Sequence, residues 1–148
     1  MSADSAPLRF SAAGRLRTGI DLVHVPRIAA SLAELGERFL QRLFTADEQA
    51  YALAAPVHTA ERLAARFAAK EAVIKALCLS QVGVHWRDIE VCRAADGACS
   101  LALHGRAAEA ARALRITEMS LSLSHEGDQA VAVVVAFSDP AVADHPSP

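Results

Sequence analysis

Glu71 and Lys75 stand one helical turn apart in the segment RFAAKEAVIKAL, Arg66 to Leu77, which puts a carboxylate and an ammonium on one stripe of a helix. At about 100° per residue, Val73, Leu77, Ile74 and Phe67 fall on one face while Ala68, Ala69, Ala72 and Ala76 cover most of the other. Such a helix has almost no solvated side. On helix geometry alone, Glu71 and Lys75 read as an i,i+4 ion pair in its favoured order. Read as a site, Glu71 is a ligand for a hard cation and Lys75 a phosphate clamp, because Mg²⁺ takes one or two carboxylates and leaves positions for phosphate oxygens. Asp21, in TGIDLVHV, is the natural second carboxylate, although an isolated Asp is more often a turn or cap residue. In SLSHEG, His125 and Glu126 are presented at a strand end, where sites often lie, although a lone histidine there usually serves structure. Only the combination of these residues carries weight.

The elements that must position them follow from periodicity and punctuation. TGIDLVHV has strand composition, with Ile20 and Leu22 expected on the buried face and Asp21 pointing away from them. Pro26 opens a helix, PRIAASLAEL, which Gly36 stops, and a short helical stretch, ERFLQRLF, follows. Thr45 with Glu48 reads as a capping box for a helix ending at Pro56, and Thr59 is positioned to cap the long helix ERLAARFAAKEAVIKALCL. From Trp86 the pattern changes to period two. WRDIEVC and CSLALH form a hairpin about Asp96-Gly97, RAAEAARALRI is a short helix, and MSLSLSH and QAVAVVVAF form a second hairpin. With the short stretch left aside, the order β-α-α-α-β-β-α-β-β predicts an α+β fold of helices packed on an antiparallel sheet. Residues 18–137 are expected to form one domain, between a flexible extension at 1–17 and a flexible tail at 138–148.

Composition narrows the function classes. Fifteen Lys and Arg against seventeen Asp and Glu give a net charge of −2, so no global field favours nucleic acid or an anionic membrane. Trp86 and the five phenylalanines are scattered and offer no stacking platform for single strands. No window approaches eighteen uninterrupted apolar residues, so no membrane span is expected. Three cysteines, Cys78, Cys92 and Cys99, form no C-x-x-C pair and suit a reducing, cytoplasmic setting. The other histidines have no metal-ligand spacing, and no P-loop, dinucleotide fingerprint or nucleophile elbow is present.

Taken together, GIDLVHVPRI at 19–28, RFAAKEAVIKAL at 66–77 and SLSHEGDQAVAVVV at 122–135 resemble the holo-acyl-carrier-protein synthases, the small 4′-phosphopantetheinyl transferases. RLFT-x-x-E and WRDIEV with its Asp-Gly turn are also similar to that family. The resemblance implies Mg²⁺-dependent transfer of the phosphopantetheine arm of coenzyme A to a serine of an apo acyl carrier protein, releasing adenosine 3′,5′-bisphosphate. It implies Asp21 and Glu71 as metal carboxylates, Lys75 and His125 near the phosphates, and Arg66, Lys70 and Gly83 at the coenzyme site. Glu71, through a water on the metal, is the preferred acceptor of the serine proton, with His125 as the alternative. Arg27, Arg38, Phe39 and Arg42 are implied to meet the acidic carrier protein, and a homotrimer with sites near subunit boundaries is implied as well. Two departures stand out: CLSQVGVHW replaces the usual Gly-Thr-Gly loop, keeping only Gly83, and Cys99 replaces a proline after the hairpin turn. They leave open a second reading, a non-catalytic or specialised paralogue that binds coenzyme A or a carrier protein as an accessory factor.

Overall fold

The computed structural model describes residues 16–139. Its elements are β1 (Leu16–His24), α1 (Val25–Leu35), α2 (Glu37–Leu43), α3 (Ala46–Leu53), α4 (Thr59–Ala76), β2 (Ile89–Arg93), β3 (Cys99–Leu103), α5 (Gly105–Ala113), β4 (Ile116–Glu126) and β5 (Gln129–Ser138). The short stretch after Gly36 is thus a helix in its own right. The expected flexible extension and tail lie outside the described residues except at their inner ends, where Leu16, Arg17 and Ser138 belong to strands. Strands β1, β5 and β4 form an antiparallel sheet in that order, and β2 and β3 pair separately as a hairpin.

Local chemistry sets most boundaries. Pro sits in the first turn of α1, and Gly36 ends it at φ 54°, a left-handed backbone that glycine adopts without a Cβ penalty. The expected capping box opens α3: the Glu48 amide donates to the Thr45 hydroxyl, and the Thr45 amide donates to the Glu48 carboxylate at 2.8 Å. Thr59 does not cap α4. It is already helical and buried, and its hydroxyl donates to the Ala52 carbonyl at 3.1 Å, tying α4 to α3. At its other end α4 closes with the Leu79 amide on Ile74 O at 2.9 Å and the Cys78 amide on Lys75 O at 3.3 Å. This is a Schellman turn with Cys78 in the left-handed position, φ 55°, that glycine usually fills.

The alanine face of α4 lies directly on the sheet. Ala68, Ala72 and Ala76 are buried, as are Ala130, Ala132, Val134 and Ala136 of β5. At Gly19 of β1 the two backbones meet: a Cβ there would stand 1.9 Å from the Ala72 carbonyl oxygen and 2.8 Å from the Ala76 nitrogen. This contact reverses the expected faces of β1. Because only a glycine fits under the helix, Gly19, Asp21 and Val23 turn toward α4, and Ile20 and Leu22 point to the open face, each 59% exposed. They pair across the sheet with Val133 and Val131, so one face of the sheet is apolar and uncovered.

Gly19→Ala should lower stability by roughly 3 kcal/mol, at the upper end of overpacking costs, because the atoms in the way are backbone. Urea unfolding would read this, and a variant of wild-type stability would contradict the close contact.

Candidate active site

Two clefts flank α4. The first, about 900 Å³, is lined by Asp21 of β1 and Glu71 of α4, by Arg27, Arg38 and Arg42 of α1 and α2, and by Phe67 and Trp86 among its apolar residues. Those two rings stack with centroids 5.1 Å apart. The structure therefore brings the two expected metal carboxylates together with the arginines expected to meet a carrier protein. Phe39 also lines this cleft but is itself buried, edge-on to Phe44 at 5.9 Å, so its ring is largely core.

Asp21 reaches α4 because it shares the inward face of β1 with Gly19, two residues away. The Lys75 ammonium donates to Asp21 Oδ1 at 2.9 Å and to the Ile20 carbonyl at 2.9 Å. The ion pair on this stripe is thus between elements, in place of the expected Glu71–Lys75 pair one turn apart. The hydrogen bond it donates to Asp21 holds Lys75 charged, raising its pKa. Partial burial, then the charge of Asp21, push the Glu71 carboxyl above its usual range, with Lys75 opposing. Two carboxylates that repel across a cleft are a ready ligand pair for a divalent cation. Among the described residues no cluster of three or more His, Cys, Asp or Glu has metal-binding geometry. A two-carboxylate set suits a cation that keeps waters or phosphate oxygens as its other ligands.

The second cleft, about 520 Å³, holds His125, which lines no part of the first. His125 Nδ1 faces Glu61 Oε2 at 3.4 Å, and His58 Nδ1 lies 3.8 Å from the other oxygen of the same carboxylate. Arg62, Arg66 and Arg93 line this cleft around the Tyr51 ring. Arg66 is 3% exposed and its Nε has no hydrogen-bond partner. Burial lowers its pKa. His125 and Arg66 are therefore brought together, but apart from Asp21 and Glu71.

Two expected coenzyme residues sit elsewhere. Lys70 is wholly buried, and its ammonium donates to Glu48 Oε2 at 2.8 Å, to the Trp86 carbonyl at 3.1 Å and to the Ile89 carbonyl. All three of its protons are spent inside the protein, so none is left for a ligand. Burial lowers its pKa while Glu48 raises it. Gly83, at φ 70° in the loop after α4, lines neither cleft, and its carbonyl accepts from Arg106 at 3.4 Å. Sequence reasoning missed Tyr51, Glu61 and Arg93. Only the Arg62, Arg66 spacing on α4 hinted at a cationic face, because the ring that gathers these side chains comes from another helix.

The raised Glu71 pKa has a signed consequence for stability. The native state keeps this proton to higher pH than the unfolded chain, so the associated stability is present in acid and lost as pH rises through the raised value. Glu71→Gln should therefore raise the urea midpoint near pH 7, and the gain should vanish as pH falls toward about 4, where unfolded glutamate also protonates. A gain independent of pH would contradict the cause assigned here.

Comparison with known proteins identifies the family. Residues 17–134 match the model of the 4′-phosphopantetheinyl transferase superfamily. The holo-[acyl-carrier-protein] synthase of Gloeobacter violaceus is 48% identical over 118 residues, covering 80% of this chain and 89% of the relative. That of Koribacter versatilis is 46% identical over 121 residues, covering 81% and 96%. Among solved structures, the ACPS–CoA complex of Chronobacterium ammoniagenes superposes with a TM-score of 0.74 at 32% identity, covering 84% of this chain and 98% of that one. The Helicobacter pylori holo-[acyl-carrier-protein] synthase in complex with coenzyme A gives 0.66 at 30% identity, covering 80% and 98%. With a family match across most of the chain and relatives aligned over nearly their whole length, this chain belongs to the 4′-phosphopantetheinyl transferase superfamily.

Proposed function

We propose that this enzyme transfers the 4′-phosphopantetheine group of coenzyme A to a serine of an apo acyl carrier protein. The observation that carries the reading is the first cleft, where two carboxylates from different elements line the same groove as three arginines. The serine oxygen attacks the phosphorus on the pantetheine side of the diphosphate. The phosphoanhydride bond breaks, and adenosine 3′,5′-bisphosphate leaves with the electron pair. Such a displacement asks for charge neutralisation and in-line positioning rather than covalent help. Mg²⁺, held by Asp21 and Glu71, would supply that neutralisation at the diphosphate. Lys75 adds a positive charge beside Asp21, and its half-exposed ammonium keeps one N–H beyond those given to Asp21 and Ile20. Glu71 is the preferred acceptor of the serine proton.

The second cleft supports a nucleotide-binding role. Arg62, Arg66, Arg93 and His125 would hold the anionic adenosine end of coenzyme A. A homotrimer reconciles the two clefts, because a neighbouring copy can bring its His125 cleft to the Asp21–Glu71 cleft of the next. Ile20, Leu22, Val131, Val133 and the half-exposed Phe137 form a continuous apolar sheet face suited to that assembly. The three free cysteines accord with a cytoplasmic setting. No helix among the described residues is long and apolar enough to cross a membrane. The accessory-factor reading drew on the altered loop after α4. In that loop Cys78 holds the left-handed helix-end position that glycine usually fills, and the carrier-modification assay below separates the two readings.

The test is to incubate the protein with coenzyme A, Mg²⁺ and an apo carrier protein and weigh the carrier by mass spectrometry. The carrier should gain the mass of phosphopantetheine, and no gain across several carriers would overturn the proposal. Arg38→Glu, at an exposed position, should raise KM for the carrier about tenfold while leaving KM for coenzyme A unchanged. An unchanged carrier KM would remove Arg38 from the docking surface.

A further inference from the structure

Three guanidiniums converge on one aromatic ring at the wall of the second cleft. The guanidinium carbons of Arg66, Arg62 and Arg93 lie 4.1, 4.2 and 5.2 Å from the centroid of Tyr51. Any two of these charges are therefore within a Debye length of each other, about 10 Å at 0.1 M salt. None of the three forms an ion pair with a carboxylate among the described residues. Glu48, the nearest carboxylate to influence Arg66, is buried and bonded to Lys70. Arg62 donates to the Tyr51 carbonyl at 2.7 Å, and Arg66 donates through one nitrogen to the Arg62 carbonyl at 3.3 Å. The Nε of Arg66, a residue 3% exposed, donates to nothing among the described residues. A set of like charges with unused donors repels itself until an anion arrives.

What holds the set together is the negative face of the ring. We infer that Tyr51 is a positioning residue that gathers Arg62, Arg66 and Arg93 into a preformed cradle for the phosphates of the coenzyme's nucleotide end. The inference rests on the nucleotide reading of the second cleft. Cation–π attraction offsets the mutual repulsion of the guanidiniums and reduces the rotamer freedom that phosphate binding would otherwise have to remove. Tyr51 comes from α3 and Arg93 from the end of β2, while Arg62 and Arg66 are one turn apart on α4. The ring is thus the one group that all three elements share at this point. Among the described residues the Tyr51 hydroxyl makes no hydrogen bond, so the ring alone should suffice.

The test compares the full-length wild type with Tyr51→Met, which keeps a helix-forming side chain of similar reach without the ring, and Tyr51→Phe, which keeps the ring. Calorimetry with adenosine 3′,5′-bisphosphate and steady-state kinetics with coenzyme A are the readouts, with thermal melts to confirm folding. Tyr51→Met should weaken binding of the bisphosphate and raise KM for coenzyme A about tenfold each, with kcat within about twofold. Tyr51→Phe should match wild type. The salt dependence of the affinity should be unchanged in Tyr51→Met, because no charge is removed, and should be shallower in Arg93→Gln, which removes one. If wild type binds neither the bisphosphate nor coenzyme A, the nucleotide reading of the cleft falls and the inference with it. If wild type binds but Tyr51→Met binds as tightly, or if Tyr51→Phe loses as much as Tyr51→Met, the reading stands and the positioning role is overturned.

Discussion

A lysine ammonium buried without access to water fixes the rotation of α4, and both clefts depend on that rotation. Lys70 is saturated by Glu48 and two carbonyls around β2, so turning the helix would strip bonds from a charge that cannot be resolvated. On the opposite side, the Gly19–Ala72 backbone contact fixes the distance from helix to sheet. Held on both sides, α4 points successive residues to different ends: Lys70 inward, Glu71 into the first cleft, and Arg62 and Arg66 into the second. Glu48 has a double task. It caps α3 through Thr45 and accepts from both Lys70 and the Val91 amide, so a single carboxylate joins three elements.

Much of this was legible before any coordinates. Proline starts, glycine stops and the Thr45 capping box marked α1 and α3, because these signals act within a few residues. The hairpin turns at Asp96-Gly97 and Glu126-Gly127-Asp128 were readable for the same reason, as was the α+β class. The inward face of β1 was not. Alternation in TGIDLVHV argues for burying Ile20 and Leu22, and only the helix lying across Gly19 reverses it. Lys75 likewise had a near partner in sequence and a better one 54 residues away, since β1 places Asp21 against its ammonium.

The candidate site was legible in part. Asp21, Glu71, Arg27, Arg38 and Arg42, all singled out from the sequence, line one cleft. Lys70 does not join them, because a position beside a functional residue on a helix points about 100° away from it, here into the core. His125 and Arg66 form a separate locus, a separation that no single-chain reading of spacing could reveal. Cys78 is a different lesson: it takes the left-handed helix-end position that glycine usually fills, and no spacing in the sequence announces a non-glycine residue there.

The account stands on one claim, that Asp21 from the sheet and Glu71 from α4 are brought together to hold a single divalent cation. Titrating Mg²⁺ calorimetrically into the coenzyme A-bound protein, and into its Asp21→Asn, Glu71→Gln and doubly substituted forms, tests it directly. Each single change should weaken Mg²⁺ binding by roughly tenfold or more, and the double should be little worse than the weaker single, as expected for two ligands of one ion. Losses that simply add, or a single variant that binds Mg²⁺ like wild type, would contradict it.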